Sequence, residues 1–149
     1  MSSFFTERQR FVVFPMGKKR FALPADQVSE LGRQKRGKED EQQKFPHTTP
    51  LLTGVVVRRR EVVPVADIAP ILAPNDIIER KFYLVLDRPA QGKASRTAIP
   101  VTGECELVEA EPLPAEGKLP PYISGRLSLN NEIVGVLDFE RLMSAGVPA

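Results

Sequence analysis

Short apolar runs alternate along the chain with clusters of Gly, Pro, Asn and charge. Phe11 to Phe14 with its flanks, Phe21 to Leu23, Val55 to Val57, Val62 to Val65, Phe82 to Leu86, Thr97 to Val101, Glu104 to Val108 and Ile133 to Leu137 are rich in β-branched and aromatic residues. That pattern belongs to strands buried on at least one face of a pleated surface. Fourteen prolines interrupt the sequence too often for long helices. The stretch MGKKR around Gly17 predicts a tight turn joining the first two strands. Many short strands between turn signals predict a mostly β protein, a barrel or a sandwich.

Two short helices are predicted. In DFERLMSAG, Asp138 reads as the N-cap, Glu140 lies in the first turn, Leu142 and Met143 form an apolar side and Gly146 is a stop. In DIAPIL, Asp67 reads as the N-cap and Pro70 falls in the first turn, where a missing N–H costs little. Each helix is expected to plug a barrel end. GRQKRGKEDEQQK, residues 32–44, has no apolar residue and predicts an exposed loop or solvated helix. RPAQGKASR, residues 88–96, predicts the tip of a long hairpin.

An internal repeat sharpens this reading. PLLTGVVVRRREVVPVADIAPIL, residues 50–72, aligns without gaps on PYISGRLSLNNEIVGVLDFERLM, residues 121–143. Pro50, Gly54, Glu61, Val65 and Asp67 meet identical residues at Pro121, Gly125, Glu132, Val136 and Asp138. Two copies at so long a period imply two similar β subdomains rather than a solenoid. Arg59-Arg60 fall opposite Asn130-Asn131, and Asn-Asn between apolar runs is a signal for a two-residue hairpin turn. The arginines are therefore expected at a hairpin tip, although Arg tolerates the left-handed conformation of such turns poorly.

The chain is 149 residues long, 42% hydrophobic and 27% charged, which suits one soluble globular domain. No apolar run approaches the roughly 20 residues that span a bilayer, and the start lacks the apolar core of a signal peptide. A cytosolic protein without membrane insertion is expected. Cys105 is the single cysteine and His47 the single histidine, so neither a disulfide, a zinc spacing nor a histidine dyad is available within the chain. Phosphate-binding glycine motifs are absent. Asp67 and Asp138 already have capping roles, so no catalytic, metal or cofactor site is expected. The net charge of +2 conceals an asymmetry: residues 1–60 hold 13 bases and 6 acids, residues 104–149 hold 3 bases and 8 acids. Arg58 to Arg60, Lys18 to Arg20 and the basic loop at 33–38 leave open a small β-barrel that binds RNA or single-stranded DNA. Such proteins combine a basic groove with aromatic stacking platforms, and here aromatics make up 7% with no Trp. A protein-binding module fits better.

Three stretches in order resemble the CheW family of chemotaxis adaptors. FVVFPMGKKRFALPADQVSEL looks like the family's opening hairpin and its Val-x-Glu-hydrophobic element. PLLTGVVVRRREVVPVADI is similar to its Gly-x-x-x-x-Arg-Gly-x-x-x-Pro-Val-x-Asp motif, and YISGRLSLNNEIVGVLDFERLM to its closing hairpin and helix. The resemblance implies two intertwined five-stranded SH3-like barrels in one domain over 1–149, with subdomains near 24–81 and 1–23 plus 82–149. It implies no enzymatic activity and no cofactor. Its implied partners are the cytoplasmic tip of a methyl-accepting chemoreceptor and the regulatory domain of a CheA-type histidine kinase, and nucleic acid is not among them. Carried over by position, Val28, Glu30, Leu31, Gly54 and Arg59 would form the receptor- and kinase-binding set. Two departures stand out: Arg60 occupies the family's Gly after the motif arginine, and Thr102 stands where the family usually has an acid. They point to a divergent member weighted toward receptor binding, in a gliding or pilus motility pathway.

Overall fold

The computed structural model describes residues 8–33, 52–58, 60–75, 82–89 and 96–145. Eleven strands lie among them: β1 (Gln9–Met16), β2 (Lys19–Pro24), β3 (Val28–Arg33), β4 (Leu52–Arg58), β5 (Glu61–Ala66), β6 (Phe82–Leu86), β7 (Thr97–Val101), β8 (Glu106–Ala110), β9 (Leu113–Pro114), β10 (Ile123–Leu129) and β11 (Glu132–Leu137). Two helices, α1 (Ala69–Leu72) and α2 (Phe139–Ala145), and one 3-10 turn at Ala25–Gln27 complete the described chain. The protein is mostly β, as the alternation predicts.

The strands form two sheets. One has six strands in the order β8-β1-β2-β11-β10-β9, the other five in the order β3-β6-β7-β5-β4. The chain starts in the first sheet, crosses to the second for β3 to β7, and returns for β8 to β11, so the first sheet is woven from both ends. The sequence division at residue 81 placed β6 and β7 with the terminal strands. The ladders place them instead beside β3 and β5, through Leu84 opposite Leu31 and Val65 opposite Ala98. The repeat covers only 50–72 and 121–143 and so carries no information about the hairpins on which its two copies pack.

Those hairpins complete a pseudo-symmetry. In each sheet the last strand of the repeat runs parallel to a neighbour's second strand, with Val136 beside Ala22 and Val65 beside Ala98. In each repeat the ladder slips at the same place, between Ile123 and Gly125 and between Leu52 and Gly54. A bulge of this kind bends a strand and increases its twist, which curls the sheet. Both tips are two-residue turns, since Arg58 faces Glu61 and Leu129 faces Glu132. Asn130 and Asn131 have φ of 47° and 67°, and Arg60 has φ of 64°. Arg60 thus stands at a hairpin tip, as expected, and its backbone is in the left-handed region. At the β1–β2 turn Gly17 takes the same region, with φ of 66°.

Alternation along the strands explains the core. On β1, Phe11 and Val13 enter a small cluster with Ala22, Leu127, Val134 and Val136 inside the first sheet. Their neighbours Val12, Phe14 and Met16 point the other way, into a larger cluster. On β6, Tyr83 and Val85 join Val56, Val63, Val65 and Ala98 inside the second sheet, while Leu84 and Leu86 join the larger cluster. That shared cluster also takes Ile68 and Leu72 around α1 and Phe139, Leu142 and Met143 around α2. Each barrel therefore has its own small core, and a common seam, sealed by both helices, binds the two together. Burial of whole Phe, Leu and Ile side chains stabilises by about 1.5–3 kcal/mol each, which makes this seam the principal source of cohesion.

The helix caps differ in detail. Asp138 caps α2 as predicted, its Oδ1 accepting from the Arg141 backbone N–H at 3.1 Å. The N-cap of α1 is Ile68, one residue later than the sequence suggests. Asp67 Oδ1 accepts from the Ala69 N–H at 3.3 Å, two residues on. That is the local turn an Asp side chain makes with its own backbone, and it starts the helix without occupying the cap itself.

Candidate functional site

Three of the sequence-predicted site residues share one short strand at the end of the second sheet's ladder. Val28 is half-buried and packs on the seam cluster. Glu30 is half-buried, and Leu31 is 53% exposed. The ladder of β3 on β6 slips between Val28 and Glu30, and Glu30 and Leu31 face Val85 and Leu84. An apolar side chain held open on an edge strand beside a buried core has the form of a binding anchor.

Leu31 opens onto a cavity of about 260 Å³, lined also by Gly32, Phe82, Tyr83, Glu104 and Cys105. It lies where the edge strand β3 and the start of β6 meet the connection from β7 to β8, the point at which the chain leaves one sheet for the other. Hydrocarbon and aromatic walls with one carboxylate at the rim suit a protruding apolar side chain of a partner, with a polar neighbour to fix its orientation. Cys105 is half-buried, as its small size suggests. Burial pushes its thiol up to about 11, so at neutral pH it is a protonated, weakly reactive wall of the cavity.

The corner that shapes this cavity is pinned from the first sheet. The Thr102 hydroxyl accepts a hydrogen bond from the Gly17 N–H at 3.1 Å, and the Thr102 N–H donates to the Pro15 carbonyl at 3.3 Å. At the position where an acid was expected, Thr102 therefore ties the β1–β2 turn to the end of β7. In this chain the position is held by a neutral hydroxyl that makes a structural contact.

Gly54 is buried on β4, at the opposite end of the ladder from β3, at the slip in register. The structure thus groups Val28, Glu30 and Leu31 and sets Gly54 apart from them in the strand order. Arg59 lies outside the described residues, as do His47, Gly146 and the stretches 34–51 and 90–95.

Two ion pairs escaped the sequence reading. Arg96 Nη2 lies 2.8 Å from Glu61 Oε2, and Arg20 Nε lies 3.0 Å from Glu132 Oε1. Glu61 and Glu132 are equivalents in the repeat, and each arginine stands two residues before the alanine, Ala98 or Ala22, that pairs in parallel with Val65 or Val136. Arg20 also reaches Glu106 Oε1 at 2.9 Å, so it bridges β8 and β11 across the sheet. The identity of the two glutamates in the repeat was the available signal.

Among the described residues no aromatic side chain is exposed and no group of three or more potential metal ligands gathers. No helix among them is long and apolar enough to cross a membrane.

Comparisons with known proteins agree with this architecture. The sequence matches the family described as CheW-like domain over residues 10–147. Among solved structures, the scaffolding protein TtCheW from Thermoanaerobacter tengcongensis superposes with a TM-score of 0.74 at 14% sequence identity, covering 91% of this chain and 88% of that one. That likeness is one of fold. No curated protein sequence matches.

Proposed function

Because the chain belongs to the CheW-like domain family, whose members are non-enzymatic scaffolds, we propose that it is a cytoplasmic adaptor that couples chemoreceptors to a CheA-type histidine kinase. The observation that carries this reading is Leu31, open on an edge strand above the cavity at the junction of the sheets. A receptor signalling tip is a helical hairpin, and an apolar residue on its surface would fill the cavity while Leu31 packs alongside. Glu30 on the same strand would set register and on-rate rather than affinity.

The weighting between partners follows from the departures. Arg60 in place of a glycine puts an additional cation at a tip next to the position of the family's motif arginine, and Thr102 removes a carboxylate. Both change the charge available to a kinase domain of related fold, and neither residue lines the Leu31 cavity. The protein is therefore a receptor-weighted adaptor, suited to a divergent array such as one governing gliding or pilus-driven movement.

Isothermal titration against a receptor signalling-tip hairpin, and separately against a kinase regulatory domain, tests this. Binding to the tip, abolished by Leu31→Asp in a chain of unchanged far-UV spectrum, is the expected result, with weaker binding to the kinase domain. Binding to neither partner overturns the adaptor reading. Kinase binding stronger than receptor binding overturns the weighting.

A further inference from the structure

The chain crosses from the second sheet back to the first in four residues, Thr102 to Cys105, between the end of β7 at Val101 and the start of β8 at Glu106. Two of them, Glu104 and Cys105, form a wall of the Leu31 cavity, and Cys105 also packs on the seam. The other two, Thr102 and Gly103, do not line the cavity. They lie against the β1–β2 hairpin instead.

The ladder of β1 on β2 closes at Met16 opposite Lys19, which leaves the Gly17 N–H outside it. Thr102 Oγ1 accepts from that N–H at 3.1 Å, and the Thr102 N–H donates in turn to the Pro15 carbonyl at 3.3 Å. Gly103 comes so close to the same strand that an added Cβ would meet Pro15 Cγ at 2.9 Å, nearer than a Cβ can sit without displacement. At the far end of the crossing, Glu106 pairs with Val13 in the ladder and with Arg20 Nη1 at 2.9 Å. Residues 103–105 therefore run between two points fixed on the β1–β2 hairpin. So short a connection has little slack, and a shift at Thr102 or Gly103 is carried into Glu104 and Cys105.

We infer that Thr102 and Gly103 are positioning residues for the partner site: by clamping the crossing onto the β1–β2 hairpin, they hold the Glu104–Cys105 wall at the spacing that receives a side chain of the receptor tip. This rests on the receptor-binding reading of the Leu31 cavity. A wall braced from behind by hydrogen bonds and a close contact is ordered before the partner arrives, so binding does not have to order it. Affinity is thereby set in part by residues that touch no partner.

Two measurements on the full chain test the inference. One is the affinity for a receptor signalling-tip hairpin by isothermal titration. The other is the rate at which iodoacetamide modifies Cys105 in the folded protein, which follows opening of the wall without any partner. Thr102→Val removes the hydroxyl at nearly constant volume, while Gly103→Ala pushes the crossing off Pro15 and deletes no hydrogen-bonding group. Each should quicken alkylation and weaken tip binding, both by about fivefold or more. Thr102→Ser, which keeps the hydroxyl, should behave as the wild type in both. Val134→Ala, in the small core of the first sheet, loses stability elsewhere and should change neither. Wild-type alkylation rates in Thr102→Val and Gly103→Ala overturn the clamp. So does a Thr102→Ser variant as loose as Thr102→Val, or an equal rise in Val134→Ala, which would show general loosening. Faster alkylation with unchanged tip affinity overturns the positioning role. A wild type that does not bind the tip overturns the receptor reading instead, and the alkylation rates then decide the clamp alone.

Discussion

Arg96 holds Glu61 in the second sheet as Arg20 holds Glu132 in the first, at 2.8 and 3.0 Å. Each pair links a strand to the parallel neighbour beside it, so the contact helps fix the one parallel ladder in each sheet. The two differ in setting. Arg96 is 14% exposed at its side chain, Arg20 32%. Exposed ion pairs contribute about 0–1 kcal/mol, and the better-shielded, doubly bonded pair should lie at the upper end. A double-mutant cycle with Glu61→Gln and Arg96→Met should therefore give a coupling of about 1 kcal/mol, against a few tenths for Glu132→Gln with Arg20→Met. Urea midpoints of the two sets of four proteins check this; equal couplings would show that burial of the arginine does not matter.

Arg60 offers a second measurement. A residue other than Gly or Asn in the left-handed region costs about 1 kcal/mol, and Arg60 sits there at φ of 64°. Arg60→Gly should raise stability by up to about 1 kcal/mol, offset in part by the greater freedom of glycine in the unfolded chain, and Arg60→Asn should do nearly as well. Asn131→Gly, at the equivalent turn, should change little. Thermal unfolding at neutral pH and moderate salt checks all three, and a lowered midpoint for Arg60→Gly would mean that the arginine side chain makes a stabilising contact outweighing its backbone.

These two cases show what a sequence can and cannot express. The position of the tip was legible because it is local: the overlay of Arg59-Arg60 on Asn130-Asn131 marks where the chain turns, while the arginines themselves do not favour the left-handed backbone found at Arg60. The helix α2 was legible for the same reason, through Asp138 and the apolar spacing after it. The partners of Glu61 and Glu132 were not, since Arg96 and Arg20 reach them only through parallel pairings that no run of adjacent residues encodes. The edge strands fared similarly. In β3 half-buried and exposed positions alternate from Val28 to Gly32, but the residues that fill them, VSELG, do not alternate in polarity, and the strand was singled out through family likeness. β9 is two residues long and owes its pairing to Gly125, where an added Cβ would meet the Leu113 carbonyl oxygen at 3.0 Å. Of the candidate site, Leu31 was named in advance, while the cavity beside it arises from a chain crossing between sheets and has no local signature.

The cavity can be separated from the core by comparing neighbours on β3. Leu31 is 53% exposed, so Leu31→Ser should alter stability by less than about 0.5 kcal/mol while weakening partner binding at least about tenfold. Val28 packs on the seam, and Val28→Ala should cost about 1 kcal/mol or more with a smaller effect on affinity. Paired measurements of unfolding and binding resolve the two roles, and a large stability loss at Leu31 would make it a core residue instead.

Cys105 gives the pH dependence its sign. Burial raises its thiol to about 11 in the folded protein, while the unfolded chain has it near its ordinary value of 9.0. Below pH 9 the thiol is protonated in both states and contributes nothing to the pH dependence. As pH rises from about 9 to about 11, the unfolded state loses this proton while the folded state keeps it, so the folded state binds more protons and stability falls. Once the folded thiol also ionises, its contribution levels off. Partial exposure of the residue reduces the amplitude below that of a fully desolvated group. The midpoint of thermal unfolding should therefore decline across this window more steeply in the wild type than in Cys105→Ala, whose difference from the wild type should vanish as a function of pH below pH 9. At neutral pH the same protonated thiol should react with iodoacetamide far more slowly in the folded protein than in urea. Rapid alkylation of the folded chain, or parallel pH profiles for the two proteins, would show that the cavity wall at Cys105 is open to solvent.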